Sequence, residues 1–154
     1  MGLHAGYLAM YVGLATGATA VLVPETPVSD EELVEKIRSA RLNGFTHYMI
    51  VVAEGVSPAT KIAKKIKEAT DMDPRVTILG HIQRGGSPTA RDRVAATKMG
   101  YLAVELLLQG KTKRVVGYQH GEFVDFDIDE ALAMQKDIPE YHYQVSKLLS
   151  ASLQ

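Results

Sequence analysis

The sequence predicts an α/β fold with a mostly parallel sheet. Three observations carry this expectation. Apolar runs of strand length recur at residues 20–23, 48–53 and 76–79. Segments with helical patterning alternate with them. Breakers punctuate the boundaries: Pro24, Asn43-Gly44, Glu54-Gly55 and Gly80. Strands alternating with helices imply right-handed crossovers and helices on both faces of the sheet, a three-layer α/β/α sandwich.

Residues 4–15 read as a buried helix. Leu8, Met10, Tyr11, Val12, Leu14 and Ala15 form an apolar stretch that imitates a signal sequence. It lacks a basic leading region, Gly13 and Gly17 interrupt it, and it is too short to span a membrane. The run at 20–23 stops at Pro24 and reads as a short buried strand. Ser29 opens a helix, with Glu32 at the spacing of a capping box, Leu33 and Ile37 on its apolar face and Asn43-Gly44 at its end. The run at 48–53 is continuously apolar, as suits a strand covered on both faces.

Ser57-Pro58 opens the next helix, with Pro58 expected at its first position. Ile62 and Ile66 mark its inner face, and Lys61, Lys64, Lys65 and Lys67 its solvated one. Residues 76–79 are expected to be a third strand. A long helix over 89–109 follows, with Ser87 as its expected N-cap, Pro88 at its first position and Gly110 at its end. Short strands at 115–118 and 123–126 and helices at 129–134 and 139–153 complete the chain. No internal repeat, linker or low-complexity tract is present.

Composition sets the limits. The chain has 154 residues, 46% apolar and 23% charged, with a net charge of −1. One domain's worth of globular protein fits those values. Charge near zero argues against general affinity for nucleic acid or membrane surfaces, so any anion site must be local. Without cysteine, disulfides, thiolate catalysis and zinc–sulfur sites are excluded. An intracellular, cytoplasmic location is expected. His47, His120 and His142 lack ligand spacing and no acidic cluster suits magnesium, so no metal site is expected.

In a parallel sheet, ligands bind beyond the carboxyl ends of the strands. That rule points to Pro24-Glu25, Glu54-Gly55 and Gly80-His81. The densest chemistry runs from Leu79 to Pro88. Gly85 and Gly86 admit close backbone approach, and a helix N-terminus follows. Arg84 can grip a phosphate through two parallel hydrogen bonds and His81 can donate more. The bland alternative is a strand–helix turn with His81 as an ordinary turn residue. Glu54 can accept from sugar hydroxyls, or it caps a helix or pairs with a lysine. His4 and Gly2 are weaker candidates. Arg75 lies six residues before His81, too far along an expected strand for one ligand to meet both within a subunit.

The run Gly80 to Arg93, GHIQRGGSPTARDR, resembles the signature of the bacterial-type 6-phosphofructokinases. Met1-Gly2-Leu3-His4-Ala5-Gly6 resembles that family's Met-Gly-Arg-x-x-Gly, Ala53-Glu54-Gly55 its Ala-Glu-Gly, and Arg75 an arginine at the same spacing. Element order agrees along the whole chain, matching the family's C-terminal half.

The resemblance implies transfer of the γ-phosphoryl of MgATP to the 1-hydroxyl of fructose 6-phosphate. It implies that Met1, Gly2, Leu3, Glu54, Arg75, His81, Ile82, Gln83 and Arg84 line the sugar-phosphate site. Arg75 would reach a neighbouring subunit's site, within a homotetramer. By that analogy residues 1–83 and 138–154 form the sugar-phosphate-binding domain, and 84–137 return to the nucleotide domain. ATP, Mg2+ and the catalytic base are expected mainly from an upstream half, so no catalytic residue and no cofactor are assigned to this chain. It contains no Walker loop.

Leu3 stands where the family has arginine, and loss of one such contact costs on the order of 100–1000-fold in rate. The family's effector pocket falls on Thr19, Asn43, Phe45 and His47, of which His47 alone is basic. Two other readings are a stand-alone sugar-phosphate-binding regulator and a structural fragment without binding. Within the family, a pyrophosphate-dependent enzyme is the alternative.

Overall fold

The computed structural model describes residues 4–135 and 137–151. The chain divides into two compact units. One comprises Met1–Arg84 with Asp137–Gln154, the other Gly85–Lys136.

In the first unit, β1 (Ala20–Leu22) and β2 (Ile50–Val52) pair in parallel, with Ala20 opposite Ile50 and Leu22 opposite Val52. Alternate side chains of β1 serve different cores. Ala20 and Leu22 pack with Leu33 and Ile37 of α2 (Asp30–Leu42) and Ile62 and Ile66 of α3 (Ala59–Thr70). Val21 and Val23 face Met10 of α1 (Tyr7–Thr16), Ile138 and Tyr143 of α6 (Glu140–Ala151). The unit is therefore a three-layer α/β/α sandwich around a parallel pair. Helix α1 lies tightly on β1. A Cβ at Gly13 would stand 2.2 Å from Val21 Cγ2.

Local chemistry accounts for most boundaries. Ser29 and Glu32 form the expected capping box at the start of α2, and Asn43 ends it. Helix α1 begins at Tyr7 rather than at residue 4, because Gly6 is its N-cap. Helix α3 begins after Pro58, whose extended ψ of 124° makes it the N-cap and not the first helical residue. The ladder at β2 is shorter than the apolar run that contains it.

The largest difference from expectation is at residues 76–79, which form no strand. A strand exists only where a neighbour completes its hydrogen-bond ladder. Among the described residues, β1 and β2 are a two-stranded sheet that does not extend to this run. Ile78 and Leu79 are 75% and 56% exposed. Gly80, with φ of +56°, then turns the chain into a 3-10 helix at Gly80–Arg84.

The second unit contains α4 (Ala90–Leu108), β3 (Arg114–Gln119), β4 (Glu122–Asp127) and α5 (Ile128–Ala133). Thr89 caps α4 and forms a capping box with Asp92, which displaces the expected Ser87 cap. The third residue into a helix capped by Ser87 would be Ala90, which has no carboxylate to close the box. Strands β3 and β4 form an antiparallel hairpin joined by His120-Gly121, both at positive φ. Such a two-residue turn matches the twist of its strands. Tyr118 and Phe123 face each other across it at 5.0 Å, and Lys98 of α4 lies 5.6 Å over the Phe123 ring. Arg114 donates to Asp125 diagonally across the pair at 2.7 Å. Asp127 caps α5, one residue earlier than expected.

Among the described residues, no helix is long and apolar enough to cross a membrane.

Candidate functional site

The carboxyl edge of the parallel pair is assembled from three segments. Ala53 N–H donates to the Leu22 carbonyl at 2.9 Å, which puts the chain after β2 level with the chain after β1. Glu54 follows Ala53 directly and is exposed at this edge. Glu25 follows β1 by three residues and accepts the Gly6 N–H at 2.8 Å. That bond brings the N-terminus of α1 to the same edge.

Burial lifts the Tyr7 phenol above its ordinary pKa, and the carboxylates of Asp137 and Glu25 add to the shift. The Tyr7 hydroxyl donates to the Asp137 carbonyl, which ties the start of α1 to the chain entering α6. The cluster is thus a set of carboxylates and amides held at the positive end of a helix.

His81 and Arg84 both lie on the 3-10 turn Gly80–Arg84 and are exposed. A 3-10 helix repeats every three residues, so side chains three apart eclipse. The turn therefore brings His81 and Arg84 onto one face. Ile82 is 73% exposed and Gln83 is partly buried on the other sides. The expectation was a turn between a strand and a helix on which Arg84 and His81 grip a phosphate. Two cationic-capable donors stacked on one face are a better anion grip than a turn alone provides.

Arg75 is exposed in the irregular segment before that turn. No strand forms at residues 76–79, so Arg75 is not held at the far end of one from His81. His4 is an exposed turn residue just before α1. Met1, Gly2 and Leu3 lie outside the described residues.

The four positions matched to the effector pocket sit at the amino ends of the strands, the opposite edge. Thr19 is 5% exposed, and its hydroxyl accepts the Met49 N–H at 3.2 Å. It therefore bridges the entries to β1 and β2. Asn43 is the C-cap of α2. The Phe45 carbonyl accepts the Tyr48 hydroxyl at 2.5 Å, and His47 is exposed.

A cavity of about 80 Å³ lies elsewhere in this unit, along β1 between α2 and α6. Its walls are mainly apolar, with Lys36 and Lys147 among them. Burial pushes the Lys36 amine below its ordinary pKa and Lys147 adds to the shift. Among the described residues, none of the sequence-predicted site residues lines it.

Sequence reasoning missed the Gly6–Glu25 contact. Pro24-Glu25 is one of the three strand ends that the parallel-sheet rule singles out, but nothing local pairs Glu25 with a residue so far upstream.

Comparison with known proteins gives a consistent answer. The Phosphofructokinase family matches residues 1–107. The chain is similar to an ATP-dependent 6-phosphofructokinase 1 of Clostridium perfringens, with 49% identity over 97% of this chain and 47% of that protein. An ATP-dependent 6-phosphofructokinase of Thermoanaerobacter sp. is 52% identical, again over 97% of this chain and 47% of its own length. The chain thus spans about half the length of the curated relatives it matches.

Among solved structures, phosphofructokinase from Saccharomyces cerevisiae superposes on all of this chain and on 22% of its own, with a TM-score of 0.75 and 28% identity. Pichia pastoris phosphofructokinase in the T-state covers 96% of this chain and 16% of its own, with a TM-score of 0.73 and 29% identity. With the α/β fold, the Gly80–Arg84 turn and half-identical relatives in agreement, this chain belongs to the phosphofructokinase family.

Proposed function

We propose that this chain is the C-terminal, sugar-phosphate-holding part of an ATP-dependent 6-phosphofructokinase. The parent enzyme converts ATP and fructose 6-phosphate to ADP and fructose 1,6-bisphosphate, a step of glycolysis in the cytoplasm. The observation that carries this reading is the 3-10 turn Gly80–Arg84, which holds His81 and Arg84 exposed and three residues apart, the spacing that eclipses side chains. A guanidinium and an imidazole stacked this way suit the 6-phosphate, and Glu54 suits the sugar hydroxyls. Met1, Gly2, Leu3, Ile82 and Gln83 complete the sugar site in this reading. Arg75 reaches a neighbouring subunit of a homotetramer.

Residues 1–83 and 138–154 form the sugar-phosphate domain and 84–137 serve the nucleotide domain. The described residues hold no group of three His, Asp or Glu able to bind a metal ion. On the family resemblance, ATP and Mg2+ are assigned mainly to the part of the relatives' length that this chain does not span. Here the protein's contribution is positioning and charge neutralisation at the sugar phosphate. Control through Thr19, Asn43, Phe45 and His47 is weakened, because the Thr19 hydroxyl already bridges two strands.

Calorimetry with fructose 6-phosphate tests the reading. The native chain binds, and Arg84→Ala weakens binding by about tenfold or more, since a charged hydrogen-bonded pair contributes roughly 1.5–3 kcal/mol. Equal affinity in both overturns the assignment of Arg84. The chain alone shows no ATP-dependent turnover, and robust phosphorylation by it overturns the division of labour.

A second reading, a sugar-phosphate-binding module without catalysis, is favoured by Leu3 at the family's arginine position. Restoring Leu3→Arg within a full-length family context without any gain in rate would favour that module.

A further inference from the structure

We propose that Glu25 is a positioning residue for the sugar site: its carboxylate clamps the N-terminus of α1 to the carboxyl edge of the parallel pair. The proposal rests on the sugar-phosphate reading above and adds to it a residue that the reading does not use.

Helix α1 starts without any local cap. Its N-cap is Gly6, which has no side chain, and its first turn holds no acidic residue. A helix N-terminus leaves backbone amides unpaired and carries partial positive charge. Glu25 supplies what the local sequence lacks, accepting the Gly6 N–H at 2.8 Å from 19 residues along the chain.

The approach is close enough to require glycine. A Cβ at Gly6 would stand 2.4 Å from both Cβ and Cγ1 of Val23 and 2.8 Å from Glu25 Oε2. Val23 is itself 2% exposed and sits in the same core cluster as Ala53, the residue before Glu54. One rigid joint therefore sets the start of α1 relative to the end of β1 and, through the Ala53–Leu22 hydrogen bond, to Glu54. The clamp acts by fixing the edge on which Glu54 stands, not by touching the ligand.

The test compares Glu25→Ala, Glu25→Gln and Ser29→Ala in the 154-residue chain. Fructose 6-phosphate affinity is read by calorimetry, and the Gly6 amide by its proton chemical shift. Ser29→Ala removes the cap of α2 and is the control for a purely structural loss.

The expected result is an affinity about tenfold lower in Glu25→Ala, about threefold lower in Glu25→Gln, whose amide oxygen still accepts, and native in Ser29→Ala. The Gly6 shift should move in the same order. Native affinity in both Glu25 variants overturns the proposal and leaves the sugar-phosphate reading intact. An equal loss in Ser29→Ala overturns it too, because the effect is then general stability. Should Glu25→Ala not fold, native affinity in Glu25→Gln is sufficient to reject it. A folded native chain that binds no fructose 6-phosphate overturns the sugar-phosphate reading itself.

Discussion

Among the described residues, every buried hydrophobic side chain except Leu106 belongs to the unit built on β1 and β2. The unit built on α4 and the β3–β4 hairpin is organised differently. A capping box, a two-residue turn, a cross-strand aromatic pair and a partly buried Arg114–Asp125 ion pair fix its geometry. Along α4, Val94, Tyr101, Val104 and Leu108 recur at helical spacing and are 55%, 66%, 56% and 83% exposed. An apolar stripe of that period is the usual core-facing side of a helix. The first unit is thus ordered by burial between distant segments, and the second by contacts between near neighbours in sequence.

Three measurements sharpen or break this contrast. The largest effect is expected at Ile37, which is 1% exposed between α2, α3 and the sheet. Ile37→Ala should cost about 2–5 kcal/mol in urea unfolding. A loss below about 1 kcal/mol would mean that burial does not dominate this unit.

A smaller effect is expected at the cap of α4. Thr89→Ala should cost about 1 kcal/mol, read as faster amide exchange in the first turn. The same cap gives a pH dependence. Hydrogen bonds from the Thr89 side chain and backbone hold the Asp92 carboxyl below its ordinary pKa. Its contribution is therefore complete above the ordinary aspartate value and is lost as pH falls through the lowered one. In Thr89→Ala that acid step should shrink, and an unchanged step would assign it elsewhere.

The smallest effect is expected on the exposed stripe. Tyr101→Ser should change the midpoint by no more than about 0.5 kcal/mol. A cost of several times that would show that the stripe is covered in solution. Tyr101 also donates to Glu105 at 2.6 Å, so Glu105→Ala, which removes the acceptor and leaves the ring in place, is the companion that separates a lost hydrogen bond from lost cover.

The same contrast explains what the sequence made legible. The box at Ser29 and Glu32 could be named in advance, because both partners lie within one helical turn. So could the two short strands at 115–118 and 123–126, though not their antiparallel pairing through His120-Gly121. The cap of α4 was displaced by two residues, since Ser87 and Thr89 both qualify and only Asp92, counted from Thr89, decides between them. Residues 76–79 were misread because Val-Thr-Ile-Leu has the composition of a strand, whereas pairing depends on a neighbour that no local pattern reports. At the candidate site, His81 and Arg84 were visible, but their shared face comes from the 3-10 geometry. Glu25 was visible only as a position at a strand end. Its bond to Gly6 depends on the parallel register of the fold, which composition does not reveal.

The two-sided use of β1 bears on how this chain tolerates changes in length. Ala20 and Leu22 feed one core while Val21 and Val23 feed the other. Adding or deleting a single residue within Ala20–Leu22 would exchange the two sets, because side chains alternate strictly along a strand. Both hydrophobic clusters would then receive the wrong volumes at once. Insertions and deletions should therefore survive in the 43–48 connection and be purged from β1 itself, so that β1 acts as the fixed ruler against which that loop can drift.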